Sequence, residues 1–348
     1  MKSIISVGIL SLGFLLSCSK STDPVLVDTF DRKAFLENYA DSYIIPGFQT
    51  LSTQTTLLNT TINDLSLNSD LSSAKQNWKV AYEAFLHVTL YNIGPAEEQV
   101  LTKSLVEEVA TFPINTEALS TAITSGNYQV GSVARDLRGF LALEYLLFSE
   151  DAQGSDAWLA VVKAIAQDIN ERVADVNSAW PTFRETFVNN NGTSAGSSTS
   201  AIYNEFLKSF EALKNFKLGL PLGLRPGQTE ALPGNVESPY SENNLLFSNT
   251  HFQVLKSFWE GNSGLGFREY LLTVEGGEAL VNSTELQIKE VETAFLNVNE
   301  TDFEASQLDG NQNLIALHTE LQKLTRFFKS EMSSLLGIAI TFSSGDGD

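Results

Sequence analysis

The chain has 348 residues and a formal net charge of −20, and 43% of its residues are hydrophobic. This apolar content excludes wholesale disorder and is enough for one large or two modest domains. The excess of acidic residues excludes a general electrostatic surface for nucleic acid or anionic lipid. We therefore expect a globular protein that binds no nucleic acid and whose charge is compatible with cations or neutral molecules.

The N-terminus has the features of an export signal. Lys2 is followed by an apolar run over residues 4–16, which is too short to span a bilayer. The run ends in "LLSC", whose last residue, Cys18, is the only cysteine. A small residue before a cysteine resembles a bacterial lipobox, in which Cys18 is lipidated and becomes the first residue. The alternative is an ordinary secretory signal with a chance cysteine. In the lipobox interpretation, the mature protein contacts the membrane only through its lipid anchor.

Helical periodicity extends over nearly the whole chain. Apolar residues recur at spacings of three and four within Asp156–Trp180, and Pro181 is expected to stop or kink this helix. A similar stripe covers residues 314–335, and sustained alternation with a period of two is absent. The predicted fold class is all-α.

Two irregular stretches interrupt the helical pattern. Residues 189–200, "NNNGTSAGSSTS", have no apolar side chain larger than alanine and are predicted to be a flexible linker or exposed loop. Residues 218–241 contain four of the nine prolines. This second stretch is longer than a simple connection requires, which favours a functional or packing loop.

The segments on either side of the linker echo one another. "GFLALEYLLF" at 139–148 and "GFREYLL" at 266–272 share Gly-Phe followed by Glu-Tyr-Leu-Leu. The match is short enough to arise by chance, but it favours two bundle-like helical halves related by internal duplication. The predicted organisation is a signal peptide at 1–17, a tether at 18–27, an N-terminal half at 28–188, a linker at 189–200, a C-terminal half at 201–343 and an acidic tail at 344–348.

Four segments, in order, carry a resemblance to a known family. They are "AKQNWKVAYEAF" (74–85), "RGFLALEYLLF" (138–148), "VESPYSENNLLFSNTHFQVLKSFWEG" (236–261) and "LGIAITFSSGDGD" (336–348). Together with the lipobox, they resemble the imelysin-like lipoproteins of Gram-negative bacteria over essentially all of the mature chain. The resemblance implies two duplicated helical halves and an association with iron acquisition. Members of the family were named as metallopeptidases.

The signature of that family, Gly-x-His-x-x-Glu, is incomplete in this chain. Gly139 and Glu144 match it, but Leu141 occupies the histidine position. A catalytic zinc normally needs three protein ligands, whereas this chain lacks HExxH and has only three widely separated histidines, namely His87, His251 and His318. His87 lies four residues after Glu83 and is predicted to form a surface or capping pair with it, with a metal site as the alternative, whereas His251 and His318 are predicted to be structural. A site built mainly from carboxylates suits iron or another divalent cation better than zinc, which weakens the metallopeptidase interpretation.

Glu144 is the central candidate residue. On a helix its neighbours at three and four residues are Phe140, Leu141, Leu147 and Phe148, and burying an unpaired charge among them costs several kcal/mol. We therefore expect a partner from another helix or from residues 218–241. One interpretation is structural, with a buried ion pair or backbone amides satisfying the carboxylate. The other is a ligand-binding role.

The other candidate ligand-binding residues lie around the motif, in "ESPYS" and in the echo of the motif in the second half. They are Gly139, Tyr145, Glu237, Ser238, Ser241, Arg268 and Glu269. Glu144 and Glu237 are the predicted metal ligands, and Arg268 and Glu269 are expected to complete a polar cluster between the halves. Ser241 is also the predicted N-cap of the next helix, with Asn244 at the third helical position.

These features predict a lipid-anchored protein of the outer membrane, facing the periplasm or the cell surface. We expect it to bind iron or an iron complex such as haem during uptake. A metallopeptidase and a scaffold for an outer-membrane transport protein are the alternatives.

Overall fold

Helices form almost all of the regular structure. The computed structural model describes residues 30–341 apart from Val100 and Ser263. These residues form no β-sheet, and one isolated bridge pairs Gln99 with Thr102. The all-α prediction is confirmed. Cys18, the predicted signal peptide, the tether and the acidic tail lie outside the described residues.

The α-helices are numbered in the order in which they follow one another along the chain. The first seven are α1 (Arg32–Tyr39), α2 (Ile45–Asn63), α3 (Ser72–Leu86), α4 (Leu105–Val109), α5 (Thr116–Thr124), α6 (Gly139–Phe148) and α7 (Asp156–Asn189). They are followed by α8 (Ser198–Glu211), α9 (Leu220–Leu222), α10 (Asn244–Glu260), α11 (Phe267–Leu272), α12 (Gly277–Phe295), α13 (Gln312–Thr325) and α14 (Ser333–Leu335). Stretches of π-helix at Ala40–Ile44, Ala212–Gly219 and Arg326–Met332 continue α1 into α2, α8 into α9 and α13 into α14. Short 3-10 turns occupy Thr89–Tyr91, Gly94–Ala96, Arg135–Leu137, Glu150–Ala152 and Glu300–Phe303. Within the described part of the chain, none of these helices combines the length and the hydropathy that a membrane span requires.

Helix α6 lies in the interior because it is apolar on nearly every side and two tryptophans anchor it. The indole N–H of Trp78 on α3 donates to the carbonyl of Phe140 over 2.8 Å. The indole N–H of Trp158 on α7 donates to the carbonyl of Leu146 over 2.9 Å. These two bonds fix α6 between α3 and α7, and they place Glu144 inside the protein.

Helix α10 joins the N-terminal helices to the C-terminal ones. It packs against both α3 and α8, while α2 packs on α3 and α7, and α12 packs on α13. Phe247 of α10 contacts Trp78 and Tyr82 of α3, with ring centroids 5.9 and 4.9 Å apart. Residues from Asp31 onward form one compact unit. The internal duplication stays a prediction.

The predicted linker at 189–200 is shorter than expected. Helix α7 continues to Asn189, and α8 begins at Ser198, with Ser197 as its N-cap: the Ser197 hydroxyl accepts from the Ser200 N–H over 3.3 Å. Residues 197–200 are buried. The prediction was wrong for these residues because serines that look like a flexible linker can also satisfy the free N–H groups of a helix start.

Helix α7 does not stop at Pro181. It runs on to Asn189 with the proline inside it. A proline removes its own N–H from the helical ladder and its ring crowds the carbonyl four residues earlier, and here Pro181 lies on the exposed side of the helix. Burial of the apolar stripe on the other side of the helix therefore stabilises the helix more than Pro181 destabilises it.

Candidate functional site

Glu144 is held by two serines of the loop that precedes α10. Its side chain is 1% exposed, and its Oε1 accepts from Ser238 Oγ over 2.6 Å and from the Ser241 backbone N–H over 2.8 Å. The two serine hydroxyls lie 2.7 Å apart. No lysine or arginine of the described residues pairs with Glu144. The partner thus comes from residues 218–241, as expected, but it is a hydroxyl and an amide instead of a cation.

Opposing effects set the proton affinity of Glu144. Burial, the largest of them, raises the pKa of its carboxyl to about 7, and the nearby charge of Glu237 acts in the same direction. The hydrogen bonds from Ser238 and Ser241 lower this pKa and only partly offset burial. The carboxyl therefore changes its protonation state close to neutral pH.

Glu237, unlike Glu144, has a cation beside it. Its Oε1 lies 2.5 Å from Lys217 Nζ and also accepts from the hydroxyl of Tyr82. The second carboxylate oxygen, Oε2, is enclosed and has no hydrogen-bond partner among the described residues. Lys217 and Tyr82 were not predicted as site residues, because Tyr82 fits the apolar stripe of α3 and Lys217 lies in a helical pattern. The proximity of Lys217 to the irregular stretch from residue 218 was the available signal.

Paired hydrogen bonds fix the loop that carries the serines. The Ser238 N–H donates to Asn244 Oδ1 over 2.8 Å, and Asn244 Nδ2 donates back to the Ser238 carbonyl over 3.0 Å. The predicted capping role of Ser241 is wrong, since α10 begins at Asn244 with Asn243 as its N-cap. The carboxylate of Glu300 instead accepts from the N–H groups of Asn244 and Leu245, each over 2.8 Å. Ser241 is therefore free to bond to Glu144.

A cavity of about 240 Å³ lies beside these groups. Glu144, Glu237 and Tyr240 line it together with Leu141, the residue at the histidine position of the signature. The ring of Tyr145 packs against that of Tyr240, with centroids 5.0 Å apart, and the Tyr145 hydroxyl lies 3.2 Å from Ser120 Oγ. Tyr145 therefore packs against Tyr240, which lines the cavity.

Gly139 has a packing role. Its φ is +82°, and a Cβ at this position would lie 2.3 Å from the carbonyl oxygen of Val109 at the end of α4. Only glycine permits this backbone to approach so closely in this conformation. Gly139 thereby determines where α6 begins, and its ligand-binding role stays a prediction.

Arg268 and Glu269 lie outside the Glu144 group, contrary to the prediction. Arg268 bonds to Glu285 of α12 over 2.6 Å and to Glu269 over 3.0 Å. Glu269 accepts from the Gly266 N–H over 2.9 Å and so caps its own short helix. Each of the two motifs contains a glutamate, but the spacing between the motif glycine and this glutamate differs. The acid of the second motif is therefore used locally.

The described residues contain no group of three or more His, Cys, Asp or Glu side chains that could hold a metal ion. The two predicted metal ligands, Glu144 and Glu237, do come together, but the ammonium of Lys217 already compensates Glu237. Carboxylate and hydroxyl oxygens suit a hard cation, whose remaining ligands would come from water or from a chelator. They do not provide the three-ligand set of a catalytic zinc.

The protein is all-helical, and its candidate site is a buried carboxylate at a small cavity. No side-chain cation of the described residues pairs with this carboxylate. The chain belongs to the imelysin family, whose profile matches residues 44–326. It is 24% identical over 230 residues to "Iron-regulated protein A" of Synechococcus elongatus, an alignment that covers 60% of this chain and 59% of that protein. The matched region thus spans less than two thirds of the curated relative.

Two solved structures share the fold. An imelysin-like protein from Psychrobacter arcticum aligns with a TM-score of 0.68 at 16% identity, over 89% of this chain and 97% of that chain. A candidate iron-regulated protein A precursor from Parabacteroides distasonis aligns with a TM-score of 0.70 at 16% identity, over 87% and 95%. The names of the Synechococcus and Parabacteroides proteins describe them as iron-regulated.

Proposed function

We propose that this protein is a lipid-anchored binding protein of the cell envelope that holds iron, or an iron complex, at Glu144 during iron uptake. The single observation that carries the proposal is the state of Glu144, a carboxylate that is 1% exposed, lines a cavity and has no cation partner among the described residues. Buried carboxylates are normally paired with a cation or coordinate a metal. A cargo cation in the cavity would supply the missing charge.

The neighbouring groups favour a cation that keeps part of its own ligand shell. Glu237, whose Oε2 has no hydrogen-bond partner among the described residues, is a second carboxylate close to Glu144, and the hydroxyls of Ser238, Ser241 and Tyr240 are oxygen donors of the kind that hard cations accept. Because no third carboxylate or histidine of the described residues joins them, water or an organic chelator would complete the coordination of the iron. Hydrated ferrous iron and ferric citrate are therefore the first two probes, and haem is the third.

The test is calorimetry on the full chain with anaerobic Fe²⁺, with ferric citrate and with haem at pH 7.5. We expect saturable binding of at least one of the three, and we expect Glu144→Gln to weaken that binding at least tenfold, which is about 1.4 kcal/mol. Glu290→Gln is the matched control, since Glu290 is an exposed residue of α12 that lines neither site cavity. Equal affinities of wild type and Glu144→Gln would refute binding at Glu144.

Anchoring is tested separately by Cys18→Ala. If Cys18 carries the acyl chains, this variant leaves the membrane fraction and appears in the soluble fraction, while the iron affinity of the purified protein stays unchanged. Retention of the variant in the outer membrane would contradict lipid anchoring through Cys18, but it would not contradict iron binding at Glu144.

A further inference from the structure

A second and larger cavity, of about 720 Å³, runs along one side of α8 and its π-helical continuation. Ser200, Asn204, Lys208, Ala212 and Phe216 all line it at intervals of four residues. Phe216 lies sixteen residues after Ser200, which corresponds to roughly 24 Å at the helical rise of about 1.5 Å per residue, so the cavity is an elongated groove. It shares only Phe112 and Glu237 with the cavity at Glu144.

The charged side chains that line this groove are predominantly acidic. The lining contains five glutamates and two lysines, so the formal charge of the groove is −5 + 2 = −3 when histidine is neutral. These residues are Glu97, Glu98, Glu107, Glu205 and Glu237, with Lys208 and Lys217. Glu205 is close enough to Glu97 for the two charges to repel each other, and Glu205 pairs with Lys208 over 2.5 Å. An additional positive charge beside Glu205 and Glu97 would relieve this repulsion.

Phenylalanine rings form much of the apolar lining. Phe85, Phe112 and Phe216 line the groove, and Phe216 is left 38% exposed there. The ring of Phe216 already accepts a cation on its face, because the guanidinium of Arg225 lies 4.4 Å from its centroid. Aromatic faces combined with carboxylates are the usual surroundings of bound organic cations.

Two enclosed polar atoms at the groove lack partners. Glu237 and His251 line it and are 5% and 2% exposed, yet Glu237 Oε2 and His251 Nδ1 have no hydrogen-bond partner among the described residues. The other ring nitrogen of His251 bonds to Ser209 Oγ over 2.7 Å, so the ring is held in place. Buried polar atoms without partners are rare in folded proteins, and a bound molecule with polar groups would satisfy them.

We propose that the groove along α8 binds an organic cation, namely a protonated amine carried on an aromatic or aliphatic body. The ammonium lies against Glu205 and Glu97, and the body packs on Phe216 and Phe85. Polar groups on the body approach Glu237 and His251. Phe112 and Glu237 line both cavities, but the ammonium position at Glu205 and Glu97 lies in the groove alone and needs no cation at Glu144.

The test uses 2-phenylethylamine and its neutral analogue 2-phenylethanol as probes in calorimetric titrations of the full chain at pH 7.5. We expect the amine to bind one site per chain at least tenfold more tightly than the alcohol. Glu205→Gln and, independently, Phe216→Leu should each weaken amine binding at least fivefold. Circular dichroism melts check that each variant is folded, and Glu290→Gln, away from the groove, should bind as the wild type does.

Three results would overturn the inference: no saturable amine binding up to millimolar concentration, equal affinity for amine and alcohol, or wild-type amine affinity in both Glu205→Gln and Phe216→Leu. Glu144→Gln distinguishes this inference from the proposed function. If the groove is a site of its own, this variant binds the amine normally whether or not it has lost iron. Loss of amine binding in Glu144→Gln would contradict the separation of the two sites.

Discussion

At the level of single residues, the carboxyl of Glu144 shows how burial and hydrogen bonding oppose each other. Burial raises its pKa to about 7 even though Ser238 and Ser241 donate to its Oε1. Because Glu144 has no cation partner among the described residues, replacing it with glutamine breaks no ion pair there. Glutamine can keep the two hydrogen bonds at Oε1, and it removes a charge that nothing in the described fold compensates.

Glu144→Gln should flatten the dependence of stability on pH. The folded pKa of about 7 exceeds the ordinary value of 4.5, so the contribution of Glu144 is fully present below about pH 4.5 and is lost as pH rises through 7. Relative to the variant, the wild type should lose on the order of 3 kcal/mol over this range, at about 1.4 kcal/mol per unit. Urea denaturation at pH 5 and pH 8 measures the difference. Parallel curves for wild type and variant would show that the folded carboxyl has an ordinary pKa.

Lys217→Met should be strongly destabilising because it leaves the charge of Glu237 buried without a partner. The two side chains are 12% and 4% exposed, and removing one member of such a pair costs roughly 3–5 kcal/mol. Chemical denaturation at pH 7 tests this, and adding Glu237→Gln to the variant should recover part of the loss.

The matched control is Lys323→Met on α13. Lys323 pairs with Glu320, but its side chain is 53% exposed, so its loss should cost no more than about 1 kcal/mol. If the two lysine variants lose similar amounts of stability, the Lys217–Glu237 pair is solvated and does not belong to the interior of the site.

At the level of helices, the sequence predicted where helices lie better than how they continue or begin. The apolar stripe at 314–335 is buried as expected up to Met332, but Leu335 is 38% exposed and Leu336 is buried instead. The π-helix at Arg326–Met332 has wider turns, so it shifts the apolar stripe by one residue. A stripe of regular spacing gives no sign of such a shift, and nothing in the polar residues 197–200 distinguished a helix start from a linker.

Glu300→Ala should weaken the start of α10. Glu300 accepts from the backbone N–H groups of Asn244 and Leu245, so its removal leaves two helix N–H groups unpaired at a cost of about 1–2 kcal/mol. Urea denaturation measures the loss. Glu304→Ala, at an exposed position four residues later, is the control and should change stability by less than about 0.5 kcal/mol. A loss of that small size in Glu300→Ala would mean that water replaces the carboxylate without cost.

At the level of the whole molecule, the site exists only because distant parts of the chain meet. Ser238 and Glu144 are 94 positions apart, and Lys217 comes from a third element. The all-α fold, the burial of Glu144 and the origin of its partner in residues 218–241 could be inferred from periodicity and from one acid in an apolar segment. The serine donors, the Lys217–Glu237 pair and the separate position of Arg268 and Glu269 could not be inferred, since they depend on how helices pack.

If Glu144 holds the cargo, the cation takes the place of a proton on its carboxyl. Calorimetry with anaerobic Fe²⁺ at pH 6, in two buffers of different ionisation enthalpy, measures this exchange. With a pKa of about 7, roughly 0.9 proton should be released per iron bound at pH 6, falling to roughly 0.1 at pH 8. Glu144→Gln should release none at either pH. Equal binding heats in the two buffers at pH 6, with iron bound, would contradict the exchange and with it the binding of iron at Glu144.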